Sequence, residues 1–316
     1  MKRLSQTIVS MLLIVLADCA VQAGPLAGYK FLTTSVRTGD TEVFEVDPDS
    51  GDARNITRSP GSEDRYPCWS PDGKQIAFTS NRDGTYNLFV CNADGSAVRQ
   101  LTHEKAPSVA YMPSWVGGRI VFGLHRDKPE MASIRPDGTD LRLLGAGHDP
   151  CLSPDGIRIA YTGEVPGGVS VFVMNADGSD KRRIVKDANP WGAIFPAWSP
   201  DGRQIVYSFK AGEALELFIV DAEGRTEPRQ VTRLGRICTP AAWSPDGKWI
   251  SFRYTDEAYW RSKERTEKVY AEKPGDKRPV WVIRPDGSEA HVVEPLHYQC
   301  AMDGSRAAWK PTVGPR

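Results

Sequence analysis

Apolar residues along this chain fall in short runs rich in β-branched and aromatic side chains, each bounded by Pro, Asp and Gly. One stretch reads Pro67-Cys68-Trp69-Ser70-Pro71-Asp72-Gly73-Lys74-Gln75-Ile76-Ala77-Phe78. A loop follows, then Leu88-Phe89-Val90-Cys91, then Asp94-Gly95, then Val98 to Thr102. Runs of this composition predict β-strands. Pro arrives with its φ already set for a turn, Asp bonds its own backbone, and Gly takes positive φ. Such a turn joins two antiparallel strands as a hairpin. The stretch therefore predicts four short strands, a to d, in a meander.

The pattern repeats. Ser-Pro-Asp-Gly begins at Ser70, Ser153, Ser199 and Ser244, preceded by Trp69, Leu152, Trp198 and Trp243. Trp115 opens a copy two residues shorter, Trp115-Val116-Gly117-Gly118. A second turn family lies between these copies: Asn92-Ala93-Asp94-Gly95, Arg135-Pro136-Asp137-Gly138, Asn175-Ala176-Asp177-Gly178, Ala222-Glu223-Gly224 and Arg284-Pro285-Asp286-Gly287. From Phe78 to Asp94, Tyr161 to Asp177 and Tyr207 to Glu223 the spacing is 16 positions each time. A unit of about 40–45 residues is the period of a propeller blade. Complete units begin near Arg65, Pro107, His148, Ile194 and Cys238. Phe31 to Arg58 lacks only strand a, and Tyr298 to Trp309 supplies the missing piece, with Asp303-Gly304 in the turn and Ala307-Ala308-Trp309 beyond it. The expected fold is an all-β, six-bladed β-propeller of four-stranded antiparallel blades, its ring closed by the N- and C-terminal segments. Closure removes an exposed sheet edge. Both ends offer a strand b, so one strand is left over.

Composition narrows the function. Lys+Arg and Asp+Glu number 40 each, for zero formal net charge, without the basic excess of a nucleic-acid binder. Gly and Pro total 53 of 316 residues, in keeping with many tight turns. The tryptophan-Ser-Pro-Asp-Gly motifs resemble the WD40-like PD40 repeats of the TolB propeller family, over about residues 29–310. No Trp-Asp dipeptide of WD40 proper occurs, and repeats begin too early to leave room for that family's N-terminal α/β domain. The resemblance implies a periplasmic, partner-binding propeller. Related repeats also occur in prolyl-oligopeptidase-type enzymes and in oligogalacturonate lyase, and fold alone does not choose between them.

Residues 1–23 have the form of a signal peptide: basic Lys2 and Arg3, an apolar run from Ile8 to Ala17, and small residues at Val21-Gln22-Ala23. Residues 24–316 then form the propeller. The location expected is periplasmic or secreted, with a lipid anchor at Cys19 as the alternative. No other segment suits a transmembrane span. The cysteines after residue 23 are five, Cys68, Cys91, Cys151, Cys238 and Cys300, without metal-site spacing, and are expected as buried thiols. Asn55-Ile56-Thr57 is a glycosylation sequon on a predicted outer strand.

In a propeller the d-to-a and b-to-c loops share one face, and loops on a rigid scaffold carry function. The Ser-Pro-Asp-Gly turns belong to the opposite, plainer face, as structural punctuation. Candidate binding residues at the channel mouth are Arg65, Tyr66, Tyr111, His148 and Asp149, with Trp191, Arg236, His297 and Tyr298. Arg37, Arg82 and Arg126 recur after strand b as mouth residues or repeat-encoded ion pairs between blades. Phe252 to Asp286 spans 34 positions, an insertion of 18 at about residues 255–279. It carries Tyr259 and Trp260 and predicts a short charged helix, capped by Asp256 and ended by Pro274-Gly275.

No catalytic motif of the serine-hydrolase, zinc-protease, P-loop or dinucleotide-binding kind occurs. The reading that follows is a non-catalytic scaffold for a protein or peptide in the cell envelope, monomeric, without cofactor or nucleic acid. The alternative is a metal-assisted carbohydrate lyase or hydrolase, with His148 and His297 as candidate ligands beside Asp149.

Overall fold

Turn chemistry written into five consecutive residues sets the hairpins. In a computed structural model that describes residues 26–187, 192–255, 280–293 and 308–311, the Ser70 amide donates to the Gln75 carbonyl at 2.9 Å and the Gly73 amide to the Ser70 carbonyl at 2.9 Å. The Ser70 hydroxyl donates to Asp72 Oδ1 at 2.7 Å. The same closures recur at Ser153, Ser199 and Ser244.

Only strands occur among the described residues. The first sheet holds β1 (Phe31–Ser35), β2 (Glu42–Val46) and β3 (Ala53–Asn55). The second is β4 (Asp64–Trp69), β5 (Gln75–Ser80), β6 (Asn87–Asn92) and β7 (Arg99–Gln100). The third is β8 (Val109–Val116), β9 (Arg119–His125), β10 (Pro129–Ile134) and β11 (Arg142–Ala146). The fourth is β12 (His148–Leu152), β13 (Arg158–Val165), β14 (Gly168–Asn175) and β15 (Arg182–Arg183). The fifth is β16 (Ile194–Trp198), β17 (Gln204–Ala211), β18 (Ala214–Asp221) and β19 (Arg229–Gln230). Next come β20 (Ile237–Cys238), β21 (Ala242–Trp243), β22 (Ile250–Phe252) and β23 (Tyr254–Thr255). The chain ends with β24 (Trp281–Ile283), β25 (His291–Val292) and β26 (Ala308–Trp309). The sixth sheet is β21-β22-β24-β25.

The molecule is a six-bladed β-propeller of antiparallel four-stranded blades. Two details differ from the sequence reading. Ala308–Trp309 is not a surplus strand b. It pairs antiparallel with β1, Phe31 opposite Trp309 and Leu32 opposite Ala308, and so is the strand a of the first sheet. Trp309-Lys310-Pro311 thus matches Trp-Ser-Pro of the other copies, with Lys in place of Ser. The second difference concerns the last complete unit, whose strand a starts at Ala242 rather than near Cys238. Ile237 pairs parallel with Leu215 of β18, and β20 pairs antiparallel with β23, which extends the fifth sheet.

The core is a ring of six apolar clusters, one between each pair of neighbouring blades. Alternating strand faces serve two neighbours: on β5, Ala77 packs toward the third blade and Ile76 and Phe78 toward the first. Burying a side chain the size of Phe78 stabilises by about 1.5–3 kcal/mol.

Glycine at the c-to-d turns answers to this packing. A Cβ on Gly95, whose φ is +89°, would meet the Ile56 carbonyl oxygen of the preceding blade. Gly287 abuts the Val231 carbonyl in the same way. The second turn family is therefore an inter-blade contact as well as a hairpin.

The seam is tied by side chains. Lys310 Nζ donates to Glu45 Oε1 at 2.9 Å, and its amide to the Lys30 carbonyl at 2.8 Å. Burial pushes the Glu45 carboxyl up, but Lys310 and Arg54 outweigh it and hold it below its ordinary value. Residues 1–25 and the proposed helix of the insertion lie outside the described residues.

Candidate binding face at the channel mouth

The inner strands of the second to fifth blades share a feature the sequence did not reveal. Tyr66, Met112, Asp149 and Phe195 all have positive φ, between 51° and 56°. Each stands three residues before the Trp or Leu that precedes the turn, and each is followed by proline: Pro67, Pro113, Pro150 and Pro196. The strand registers break there, between Arg65 and Cys68, Tyr111 and Ser114, His148 and Cys151, and Ile194 and Ala197. Proline has no N–H for a ladder bond, so a strand that keeps it must bulge. A left-handed residue before proline is strained by about 1–3 kcal/mol, and such strain persists only where surrounding packing over-determines it. The bulge re-aims side chains at the channel.

The loops of this face are pinned by buried polar groups. Thr57, Thr102 and Thr232 hydroxyls accept the amides of Val43, Leu88 and Leu217 at 3.1, 2.9 and 2.8 Å. A buried acceptor near the start of strand c then holds the next d-to-a loop. Glu42 takes the Ser59 amide at 2.8 Å, Asn87 the Glu104 amide at 2.8 Å, and Glu216 the Gly235 amide at 2.7 Å. Neighbouring loops are also linked, as Thr85 Oγ1 donates to the Ser108 carbonyl at 2.9 Å.

On this face the second and third blades form a cavity of about 420 Å³ lined by Arg65, Tyr66, Tyr86, Val109, Tyr111 and His125. Tyr66 and Tyr111 stand with ring centroids 6.4 Å apart, inclined at 57°. Tyr111 lies over Gly123 of β9, where a Cβ would come within 2.5 Å of its ring. Arg65 is 2% exposed. Its guanidinium meets Glu63 at 2.8 Å and sits 5.8 Å from the Tyr86 ring centre. The Tyr86 hydroxyl donates to the same Glu63 carboxylate. The site is thus aromatic and amphipathic, with its charge already compensated.

Three expected residues, Arg65, Tyr66 and Tyr111, are brought together here. Tyr86, Val109 and His125 were missed. Each is next to a strand terminus on the loop side, a signal that the register of strands b and c carries. His148 and Asp149 lie on β12, outside this cavity. Asp149 is 8% exposed and accepts the Thr162 hydroxyl at 3.1 Å. Arg236 is exposed before β20. Trp191, Tyr259, Trp260, His297 and Tyr298 lie outside the described residues, so a meeting of His148 with His297 does too. Among the described residues no group of three or more His, Cys, Asp or Glu could hold a metal ion.

The recurring arginines do different work. Arg82 pairs with Asp64 of its own blade at 3.1 Å and stands over the Phe89 ring at 4.9 Å. Burial pushes the Asp64 carboxyl up, against the opposing pull of Ser80 and Arg82. Arg126 reaches Glu104 on the loop from the preceding blade at 2.9 Å. Arg37 stands over Phe44 at 5.4 Å.

The thiols also correct an expectation. Cys91 and Cys238 are buried, Cys68 and Cys151 are partly exposed, and Cys300 lies outside the described residues. Burial pushes the Cys91 thiol up to about 12.

The TolB beta propeller domain family matches residues 25–194, more than half of the chain. A protein TolB homolog of Chlorobium luteolum is 30% identical over 154 residues, 47% of this chain and 34% of that protein. The Tol-Pal system protein TolB of Anaeromyxobacter dehalogenans is 31% identical over 195 residues, 58% of this chain and 44% of that protein. The aligned stretches thus span between a third and a half of these relatives' lengths. A solved structure of a putative TolB from Agrobacterium tumefaciens has a TM-score of 0.67 at 18% identity, covering 90% of this chain and 94% of that one. At that identity the likeness speaks for the fold alone. No helix among the described residues is long and apolar enough to cross a membrane.

Proposed function

Because this chain belongs to the TolB β-propeller family, we propose that it is a non-catalytic scaffold that binds a protein or peptide of the cell envelope through its loop-rich face. The observation that carries this reading is the cavity of about 420 Å³ built by Tyr66, Tyr86 and Tyr111 beside Arg65. Tyrosine and arginine dominate the anchoring points of protein interfaces. A cavity whose walls are rigid strands and pinned loops loses little entropy when a partner side chain enters. The signal-peptide pattern of residues 1–23 supports export, which would bring the face into the periplasm. His148, Asp149 and Arg236, at strand ends and loops of the same face, extend that surface.

The test is site-specific photocrosslinking in cells. A photoreactive residue at Tyr111 should capture one defined partner band, and the same residue at Ile157, on a turn of the opposite face, should not. Equal capture at both positions, or none at Tyr111, refutes the reading. N-terminal sequencing of the mature chain checks cleavage after Ala23; a chain beginning at Met1 refutes export by this route.

A further inference from the structure

The face assigned above to turns alone holds a mostly apolar concavity. Its volume is about 380 Å³, and all six blades contribute to it. Trp69, Trp115, Trp198, Trp243 and Trp309 form its wall, and the turn prolines, from Pro71 to Pro311, form its rim. None of its lining side chains among the described residues is charged.

The turn chemistry explains that neutrality. Asp72, Asp155, Asp201 and Asp246 each accept their own turn's Ser hydroxyl, at 2.7, 2.5, 2.6 and 2.8 Å. The carboxylates are folded back onto the backbone and the proline rings are left facing inward. Four of the five indole N–H groups bond the protein, Trp115 to the Gly117 carbonyl at 3.3 Å among them, while that of Trp243 is buried without a partner among the described residues. Trp69 donates to the Ala308 carbonyl at 3.2 Å, Trp198 to the Cys151 carbonyl at 3.0 Å, and Trp309 to Ser251 Oγ at 2.9 Å. What remains in the wall is aromatic and aliphatic surface, with the Cys68 thiol and the Ser114 hydroxyl among it.

We propose that this funnel, which shares only Tyr66 with the loop-face cavity, is a second binding site, for an uncharged hydrophobic ligand. An apolar cavity of roughly 150 Å³ holds benzene. The funnel therefore has room for about two to three such rings, or a hydrocarbon chain of the same bulk. Lys310 and Arg158 stand over the Trp69 and Trp198 rings at 4.6 and 4.8 Å but are paired with Glu45 and Glu223, so a charged ligand finds no free counter-charge there.

The experiment uses the full chain and N-phenyl-1-naphthylamine, a neutral probe whose absorption overlaps tryptophan emission. The expected result is saturable probe fluorescence with parallel quenching of tryptophan, and binding at least tenfold weaker for the sulfonated analogue 8-anilino-1-naphthalenesulfonate. Displacement by 1-dodecanol identifies a chain as the natural shape, and displacement by phenanthrene a flat ring system. Cys68→Trp fills the funnel and should weaken the probe at least tenfold, while Leu143→Ser, on an exposed outer strand, should leave it unchanged. Cys68 supplies a readout that needs no variant: bound probe should slow its alkylation by N-ethylmaleimide at least fivefold, followed by peptide mass spectrometry. The proposal is overturned if the probe does not bind, if it binds a folded Cys68→Trp chain as well as the parent, or if Cys68 alkylation is unprotected. It is also overturned if only a chain ending at Pro311 binds, which would assign the funnel to residues 312–316.

Discussion

Trp309 is the residue on which closure of the ring turns, and its removal gives a quantitative test. It is 7% exposed. Its ring meets Tyr29 at 5.3 Å and Phe31 at 5.7 Å between centroids, and its Nε1 donates to Ser251 Oγ at 2.9 Å. It therefore joins the first blade to the sixth, and it stands on the strand whose pairing with β1 closes the ring. Trp309→Ala empties an indole-sized volume from the cluster it shares with Phe44, Trp249 and Val280. Truncations of this kind cost about 3–5 kcal/mol. For a domain of this size each kcal/mol shifts the melting temperature by about 2–4 °C, so the expected drop is about 6–20 °C. Trp309→Phe keeps a ring but loses the indole N–H. Ser251 retains a bond to the Ala242 carbonyl at 3.2 Å, so the expected cost is only about 1–2 kcal/mol. Differential scanning calorimetry measures both, with Ile157→Ala, at a position 62% exposed, as the surface reference. If Trp309→Ala melts within 2 °C of the parent, strand β26 does not close the ring.

Four further outcomes are expected. Gly84→Ala, at φ +95° with open space around it, should cost about 1–2 kcal/mol, whereas Gly95→Ala adds a collision with the Ile56 carbonyl and should cost at least twice as much in urea unfolding. Thr232→Val strips the Leu217 amide and the buried Glu216 carboxylate of a partner, and should cost about 2–4 kcal/mol by the same measurement, while Ser179→Ala on an exposed turn costs little. Gly123→Ala places a methyl within 2.5 Å of the Tyr111 ring, so partner capture at the loop face should fall at least tenfold while circular dichroism stays that of the parent. The last outcome concerns pH. Burial pushes the Asp246 carboxyl up, but the Tyr29 hydroxyl at 2.6 Å, Ser244 and Lys248 outweigh it and bring it down to about 2. A lowered carboxyl contributes stability that is present above about pH 4 and is lost as pH falls toward 2. The stability gap between the parent and Tyr29→Phe should therefore narrow from pH 6 to pH 2; a gap constant over that range refutes the assignment.

Much of the architecture follows from residues close together in the chain. Ser70, Asp72, Gly73 and Gln75 satisfy one another inside a single turn, so the turn forms wherever the tetrapeptide is written, and its four copies, with the variant copy at Trp115 and the split unit at the two ends, count six blades. The identity of the strands followed from composition for the same local reason. The loop-rich face could be named in advance because strand order alone decides which loops share a side.

What lay beyond reach depends on contacts between distant residues. The pairing of Trp309 with Phe31 bridges almost the whole chain, and a two-residue strand carries too little pattern to show which register it takes. The left-handed bulges at Tyr66, Met112, Asp149 and Phe195 accompany the prolines that follow them, but a proline in a strand does not by itself say that the residue before it turns left-handed. Tyr86 and His125 meet Tyr66 and Tyr111 only because two blades are held side by side. The funnel arises in the same way: each tryptophan reads locally as the end of a strand, and only the closed ring sets five of them around one space.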